Sequence, residues 1–179
     1  MKKYYTNLFL ILLIAVAFTA CDKDDDESSK YPGVPKGTIV PIDERAFVLT
    51  GADDPDLKTT DDVLNDYKFW TFESSKAFIS GCGENEEIDL LEELGGDVPD
   101  IAFSPDGNVM ARDGDYVYDT YRDWEWADAN KSGIILDKFP DVTFEFTALN
   151  EHQVVYASKQ SVTYEDCDYQ VITYEELVR

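Results

Sequence analysis

The chain has 179 residues, with 38 acidic against 15 basic side chains and a formal net charge of −23 at pH 7. That balance excludes a nucleic-acid partner, whose phosphates demand a basic footprint, and electrostatic adhesion to anionic lipid. It favours solubility and suits cationic partners or divalent ions.

Residues 1–20 read as a processed leader, a signal peptide outside the fold. Lys2 and Lys3 form a short positive region, and Leu8 to Ala17 is an apolar run of ten residues. Crossing a hydrocarbon core takes about 20 residues, so a retained membrane anchor is the poorer alternative. Small residues, Thr19 and Ala20, precede Cys21. Removing residues 1–20 takes away two lysines and no acid, which leaves 13 bases against 38 acids.

Phe18-Thr19-Ala20-Cys21 resembles the lipobox of bacterial lipoproteins, with Phe18 where leucine is commoner. The resemblance implies that the Cys21 thiol carries palmitate-type acyl chains and that the leader is cut before it. One chain binds a bilayer only marginally, whereas two or three make an effectively permanent anchor. The alternative for Cys21 is an ordinary thiol. Cys21-Asp22-Lys23-Asp24-Asp25-Asp26-Glu27 is similar to the export signal of Bacteroidota-type surface lipoproteins. That similarity implies a lipid-anchored protein on the outer face of the outer membrane. In the alternative, the protein faces the periplasm and the acidic run is only a self-repelling tether.

From Asp22 to Pro41 there is no hydrophobic periodicity, and Pro32, Gly33, Pro35 and Gly37 interrupt the stretch. Residues 21–41 are therefore expected to be a lipidated acidic tether, followed by one domain over 42–179. The period of that domain is two. Tyr67 to Phe72 is aromatic on both parities, as in a strand covered on both sides. Asp89 to Leu94 reads as a short helix stopped by Gly95-Gly96. Tyr116 and Tyr118, then Trp124 and Trp126 against Asp123 and Glu125, alternate as half-buried strands do. Val142, Phe144 and Phe146 alternate with Thr143, Glu145 and Thr147, and Tyr169 and Val171 flank Gln170. Ser104-Pro105-Asp106-Gly107, Asp113-Gly114-Asp115, Ala129 to Gly133 and Leu149 to His152 are turn signals at short intervals. The expected fold is all-β, an antiparallel up-and-down meander closing as a barrel or packing as a sandwich.

Leu49-Thr50-Gly51, a lysine-bearing stretch and then Phe69-Trp70 resemble the opening of lipocalin-like domains of Bacteroidota lipoproteins. Cys82 with Glu84 to Glu87, Phe103 to Gly107, Trp124-Glu125-Trp126 and Phe144 to Glu151 continue the likeness over about 46–175. The family implies a lipocalin-like barrel of about eight strands, with the short helix in an insert. The chain departs from the family pattern by inserts after Leu57 and through Glu84 to Val98.

With Cys21 lipidated, Cys82 and Cys167 remain as an even pair in an oxidising compartment, and a disulfide is expected. The alternatives are two separate thiols or a metal site, the latter poor because the chain has one histidine and no C-x-x-C. No cofactor or metal is expected. Asp53-Asp54-Pro55-Asp56 with Asp61-Asp62 offers hard oxygen ligands but no EF-hand spacing, and a solvated loop is the plainer reading. Enzyme motifs are absent, and His152 stands alone in a turn, so catalysis is not expected. Trp70 is a candidate ligand-binding residue for which the core is the plainer reading. Trp124 and Trp126, with Tyr116 and Tyr118, fit either a core or a ligand cavity. The expected function is therefore a lipid-anchored envelope protein whose barrel binds a small hydrophobic molecule or glycan. The alternative is a structural lipoprotein with a filled barrel that docks on another envelope protein.

Overall fold

The computed structural model describes residues 30–52, 67–164 and 166–179. The leader, Cys21, the acidic run after it and the Asp53–Asp62 cluster lie outside the described residues. The described residues form nine strands: β1 (Thr71–Gly81), β2 (Glu84–Asp89), β3 (Asp100–Phe103), β4 (Asn108–Asp113), β5 (Tyr116–Trp126), β6 (Gly133–Leu136), β7 (Thr143–Asn150), β8 (Gln153–Tyr164) and β9 (Cys167–Val178). They make one antiparallel sheet in the order β2-β1-β9-β8-β7-β6-β5-β4-β3. The stretch from β3 to β9 is the meander that the alternation predicts.

The sheet is open, where the sequence suggested a closed barrel of eight strands. It curls far enough for Phe103 of β3 to meet Tyr156 of β8, five places away in the sheet, at 6.3 Å between ring centroids. The two ends of the wall then touch at one bridge. Trp70 donates its N–H to the Ile101 carbonyl at 2.7 Å, and Ile101 returns the bond at 2.9 Å. Beyond that bridge β1 pairs with β2 instead, from Lys76↔Asp89 to Gly81↔Glu84. A strand has two edges, and β9 holds the other edge of β1. The inserted strand β2 thus occupies the edge that β3 needs to close the wall.

Two short helices flank the sheet. Helix α1 (Arg45–Thr50) was not expected from the sequence, because six residues give too short a pattern to read. It ends on Gly51 at φ +82°, whose N–H bonds the Phe47 carbonyl at 2.8 Å. Its buried Val48 and Leu49 plug the end of the curl where β3 and β7 finish. Helix α2 (Leu90–Glu93) is the expected one in the insert. Asp89 caps it by accepting from the Leu91 and Glu92 N–H groups at 3.0 and 3.1 Å. Gly96, at φ +76°, returns its N–H to Leu91 at 2.8 Å, a conformation open to glycine.

Apolar residues pack on both faces. The concave face carries Trp70, Phe103, Val109, Trp124, Ile134, Phe146, Leu149, Val154 and Leu177 around the α1 plug. Bulges at Phe72/Ser74 and Phe146/Ala148 exchange the parity of β1 and β7. Ala148 is therefore convex while its neighbour Leu149 is concave. On the convex face Ala148, Val155, Ala157, Ile172 and Tyr174 are covered by Tyr31 and Val34. The described part of the expected tether, residues 30–41, is thus folded against the domain. Gly37 and Val40 donate to the Thr147 and Leu149 carbonyls at 3.0 Å, and Leu149 donates to Thr38 at 3.0 Å. Proline and glycine suggested flexibility there, but an extended strap with two apolar anchors has no period to detect.

Cys82 and Cys167 form the expected disulfide, with Cα atoms 5.9 Å apart. It joins the β1–β2 turn to the β8–β9 hairpin at the end of the curl opposite α1.

Candidate binding face

The five aromatic residues singled out in the sequence share the concave face but divide between its two ends. Trp70 is completely buried at the plugged end. Its indole N–H donates to the Leu49 carbonyl at 3.1 Å, and the Lys68 ammonium sits 4.6 Å from its ring centroid. Burial pulls the Lys68 pKa down, opposed by its ion pair with Glu151 at 3.0 Å. Trp124 is 7% exposed, donates to the Ser104 carbonyl at 3.0 Å and meets Phe103 and Trp126 edge-on. Both indoles are spent on packing and hydrogen bonds, so neither ring face is open to a ligand.

Trp126 is half-buried beneath Lys131, whose ammonium lies 5.3 Å from the ring centroid. A recess of about 30 Å³ lies between Trp124, Trp126, Pro105 and the end of α1. Such a space holds a water or two. A drug-sized ligand needs roughly 300 Å³ or more.

Tyr116 and Tyr118 lie at the disulfide end and are 75% and 41% exposed. Register decides which way they face. Val109 and Ala111 of β4 are buried, and Val109 is in the concave core. Tyr118 stands directly opposite Ala111, and Tyr116 opposite Asp113 two residues on. Directly opposed residues share a face, so both tyrosines are concave.

The long strands β8 and β9 supply the facing wall. Their ladder is unbroken from Gln153↔Val178 to Tyr164↔Cys167. Concave Val154 and Leu177 set the parity. Moving toward the disulfide, the concave pairs are Tyr156/Glu175, Ser158/Thr173, Gln160/Val171 and Val162/Tyr169, and then Tyr164. Strand β1 adds Ser75, Ala77 and Ile79 at the same levels. The concave face therefore changes character along its length. The α1 end is apolar and filled. A polar band follows, and an aromatic rim of Tyr116, Tyr118, Tyr164 and Tyr169 lies beyond it.

The polar band is internally bonded. Ser158 and Thr173 hydroxyls pair at 2.7 Å. The Tyr156 hydroxyl donates to the Glu175 carboxylate. Burial pushes the Glu175 carboxyl above its ordinary range, with the Tyr156 hydrogen bond and the Arg122 charge working against the shift. Burial and the neighbouring Glu175 charge push the Tyr156 hydroxyl well up, and Arg122 again opposes. Arg122 lies on β5, three places from β8 in the sheet. Its charge reaches this pair because the curl turns the two walls toward each other.

The chain matches no protein-family model, no curated protein and no solved structure. The sequence patterns single out none of Glu175, Tyr156, Arg122 and Tyr164. Tyr156 and Tyr164 share a face of one strand by their even spacing, but Glu175 and Arg122 lie on other strands, and no local pattern joins them to it. His152 is exposed in the β7–β8 turn, with its backbone N–H bonded to Asn150 at 3.0 Å. Among the described residues, no three acidic, histidine or cysteine side chains gather to hold a metal ion.

Proposed function

We propose that this is a lipid-anchored protein of the outer membrane surface that binds a glycan at the disulfide end of its concave face. In this reading the fold is a lipocalin-like barrel opened by the inserted β2. Cys21 carries the anchor, and the acidic run before the strap holds the domain off the membrane. The single observation that carries the binding role is the set of exposed tyrosines, Tyr116, Tyr118 and Tyr164, on one concave face. Folding buries aromatic side chains wherever it can, and ring faces left in water suit stacking on sugar rings. The apolar end is already occupied by Trp70, Trp124, Phe103 and Phe146. That favours a glycan over a small hydrophobic molecule.

Binding of the detergent-solubilised full chain to an array of oligosaccharides tests this reading. Tyr118→Ala and Tyr116→Ala are expected to weaken whatever the parent chain retains. An array that retains nothing overturns it. The filled apolar end is the specific observation that favours the other reading, a structural lipoprotein that docks on an envelope protein. Capture of a defined envelope protein, undiminished by the two tyrosine variants, would support that role instead.

A further inference from the structure

We propose that the outer edge of β2 is a docking edge for another protein, and that it takes an extended lysine- or arginine-rich segment as a further antiparallel strand. This inference stands apart from the glycan reading and uses none of its residues.

A closed barrel leaves no strand edge, whereas an open sheet ends in two. Here β2 is one end of the strand order and pairs with β1 alone. The turn between them decides which backbone groups point outward. Cys82 and Gly83, at φ +51° and +84°, separate the paired residues Gly81 and Glu84. Two such residues make a tight hairpin of the primed class, and its closing pair exchanges both hydrogen bonds. Bonded and non-bonded pairs alternate along an antiparallel ladder. Glu84, Glu86 and Ile88 therefore direct their N–H and C=O groups to β1, and Asn85 and Glu87 turn theirs away from it. No backbone bond from any other described segment reaches these two residues, and residues 84–87 are exposed. The disulfide pins the same turn to the β8–β9 hairpin, so the edge is in place before a partner arrives.

Charge selects the partner. Glu84 to Pro99 holds seven acids and no base. Lys76 answers Glu87 from β1, while Glu84 and Glu86 stand in no ion pair among the described residues. A second copy of β2 would set acids against acids, and like charges directly opposite one another destabilise paired strands. A segment with a basic residue at every second position instead meets Glu84 and Glu86 with the opposite sign, because residues two apart share a face. The acids thus guard the edge against self-association and leave it open to a basic strand. Main-chain bonds then supply the attraction, and side chains choose the partner.

Calorimetry and amide hydrogen exchange on the detergent-solubilised full chain test this with three peptides of equal length. One alternates lysine and threonine, one glutamate and threonine, and one lysine and proline. With lysines opposite Glu84 and Glu86, proline removes the N–H at the positions that face Asn85 and Glu87. The Lys-Thr peptide is expected to bind, more weakly as salt rises, and to slow exchange at Asn85 and Glu87. The Glu-Thr peptide should not bind. The Lys-Pro peptide should bind about fivefold or more weakly, the loss expected for a backbone hydrogen bond. Asn85→Pro removes an outward N–H while keeping every charge and the β1 ladder, a place where an edge strand tolerates proline. It should weaken the Lys-Thr peptide by a similar factor. Glu84→Gln with Glu86→Gln should weaken it too, and that chain decides the matter if thermal midpoints show that the proline variant is misfolded. If the Lys-Pro peptide binds as well as the Lys-Thr peptide, or if either folded variant binds like the parent, the docking edge is wrong. It is also wrong if the Glu-Thr peptide binds equally well, if exchange slows elsewhere but not on β2, or if the Lys-Thr peptide does not bind at millimolar concentration. None of these outcomes touches the glycan reading.

Discussion

The indole of Trp70 donates a hydrogen bond to the carbonyl of Leu49, a residue 21 positions earlier in the chain, at 3.1 Å. This bond ties α1 to the start of β1 at the level where the two ends of the sheet meet. It gives the Leu49-Thr50-Gly51 and Phe69-Trp70 segments a shared physical purpose. Gly51 ends the helix, Leu49 turns its carbonyl inward, and Trp70 fills the plug and satisfies that carbonyl. Trp70→Phe keeps most of the apolar bulk but leaves the Leu49 carbonyl unpaired. It should cost about 1–3 kcal/mol, and Trp70→Ala about 3–5 kcal/mol, read from urea unfolding midpoints. Equal midpoints for Trp70→Phe and the parent would show that the bond contributes nothing.

The disulfide closes a long loop, since Cys82 and Cys167 are separated by 85 in sequence. Constraining such a loop in the unfolded chain contributes about 4 kcal/mol on the chain-entropy model. The Cys82→Ser/Cys167→Ser chain should therefore melt well below the parent, and dithiothreitol should lower the parent's midpoint toward it. A parent that melts identically with and without reductant would refute this.

Residues 30–41 behave as part of the domain. A chain shortened to begin at residue 42 would expose Val155, Ala157, Ile172 and Tyr174, which Tyr31 and Val34 now cover. It should unfold at lower urea than a chain that begins at residue 30. Val34→Ala alone should cost about 1–2 kcal/mol. Matching midpoints for the two chain lengths would return the strap to the status of a tether.

Glu175 makes the stability of the fold depend on pH. Burial raises its folded pKa above the unfolded value. Between those two values the folded state holds more protons than the unfolded state, so stability falls as pH rises through that window. The residue's contribution is most favourable below the ordinary glutamate range, and it declines from there upward. Glu175→Gln should therefore gain stability relative to the parent as pH rises from about 4 to about 7, measured by urea unfolding at each pH. A constant difference would mean that the carboxyl is not shifted by burial.

Much of the architecture was legible in the chain itself. Alternation at Phe144 and Phe146, at Trp124 and Trp126 and at Tyr169 and Val171 determined an antiparallel all-β body, because successive side chains on a pleated strand point to opposite faces. The Asp89 cap and the Gly95-Gly96 stop determined α2, since both act over one turn of chain. The even pair of cysteines indicated their own bridge. Closure was decided elsewhere. Whether β3 or β2 takes the edge of β1 depends on strands far apart in sequence competing for one row of backbone hydrogen bonds, and no local pattern records the winner. The same holds for the candidate site. The spacing of Tyr116 and Tyr118 shows that they share a face, but only the curl of the sheet brings that face opposite Glu175 and Tyr164. It likewise sends Trp70 and Trp124 into the packed end, because curvature sums small twists over many strands and cannot be read from any one of them.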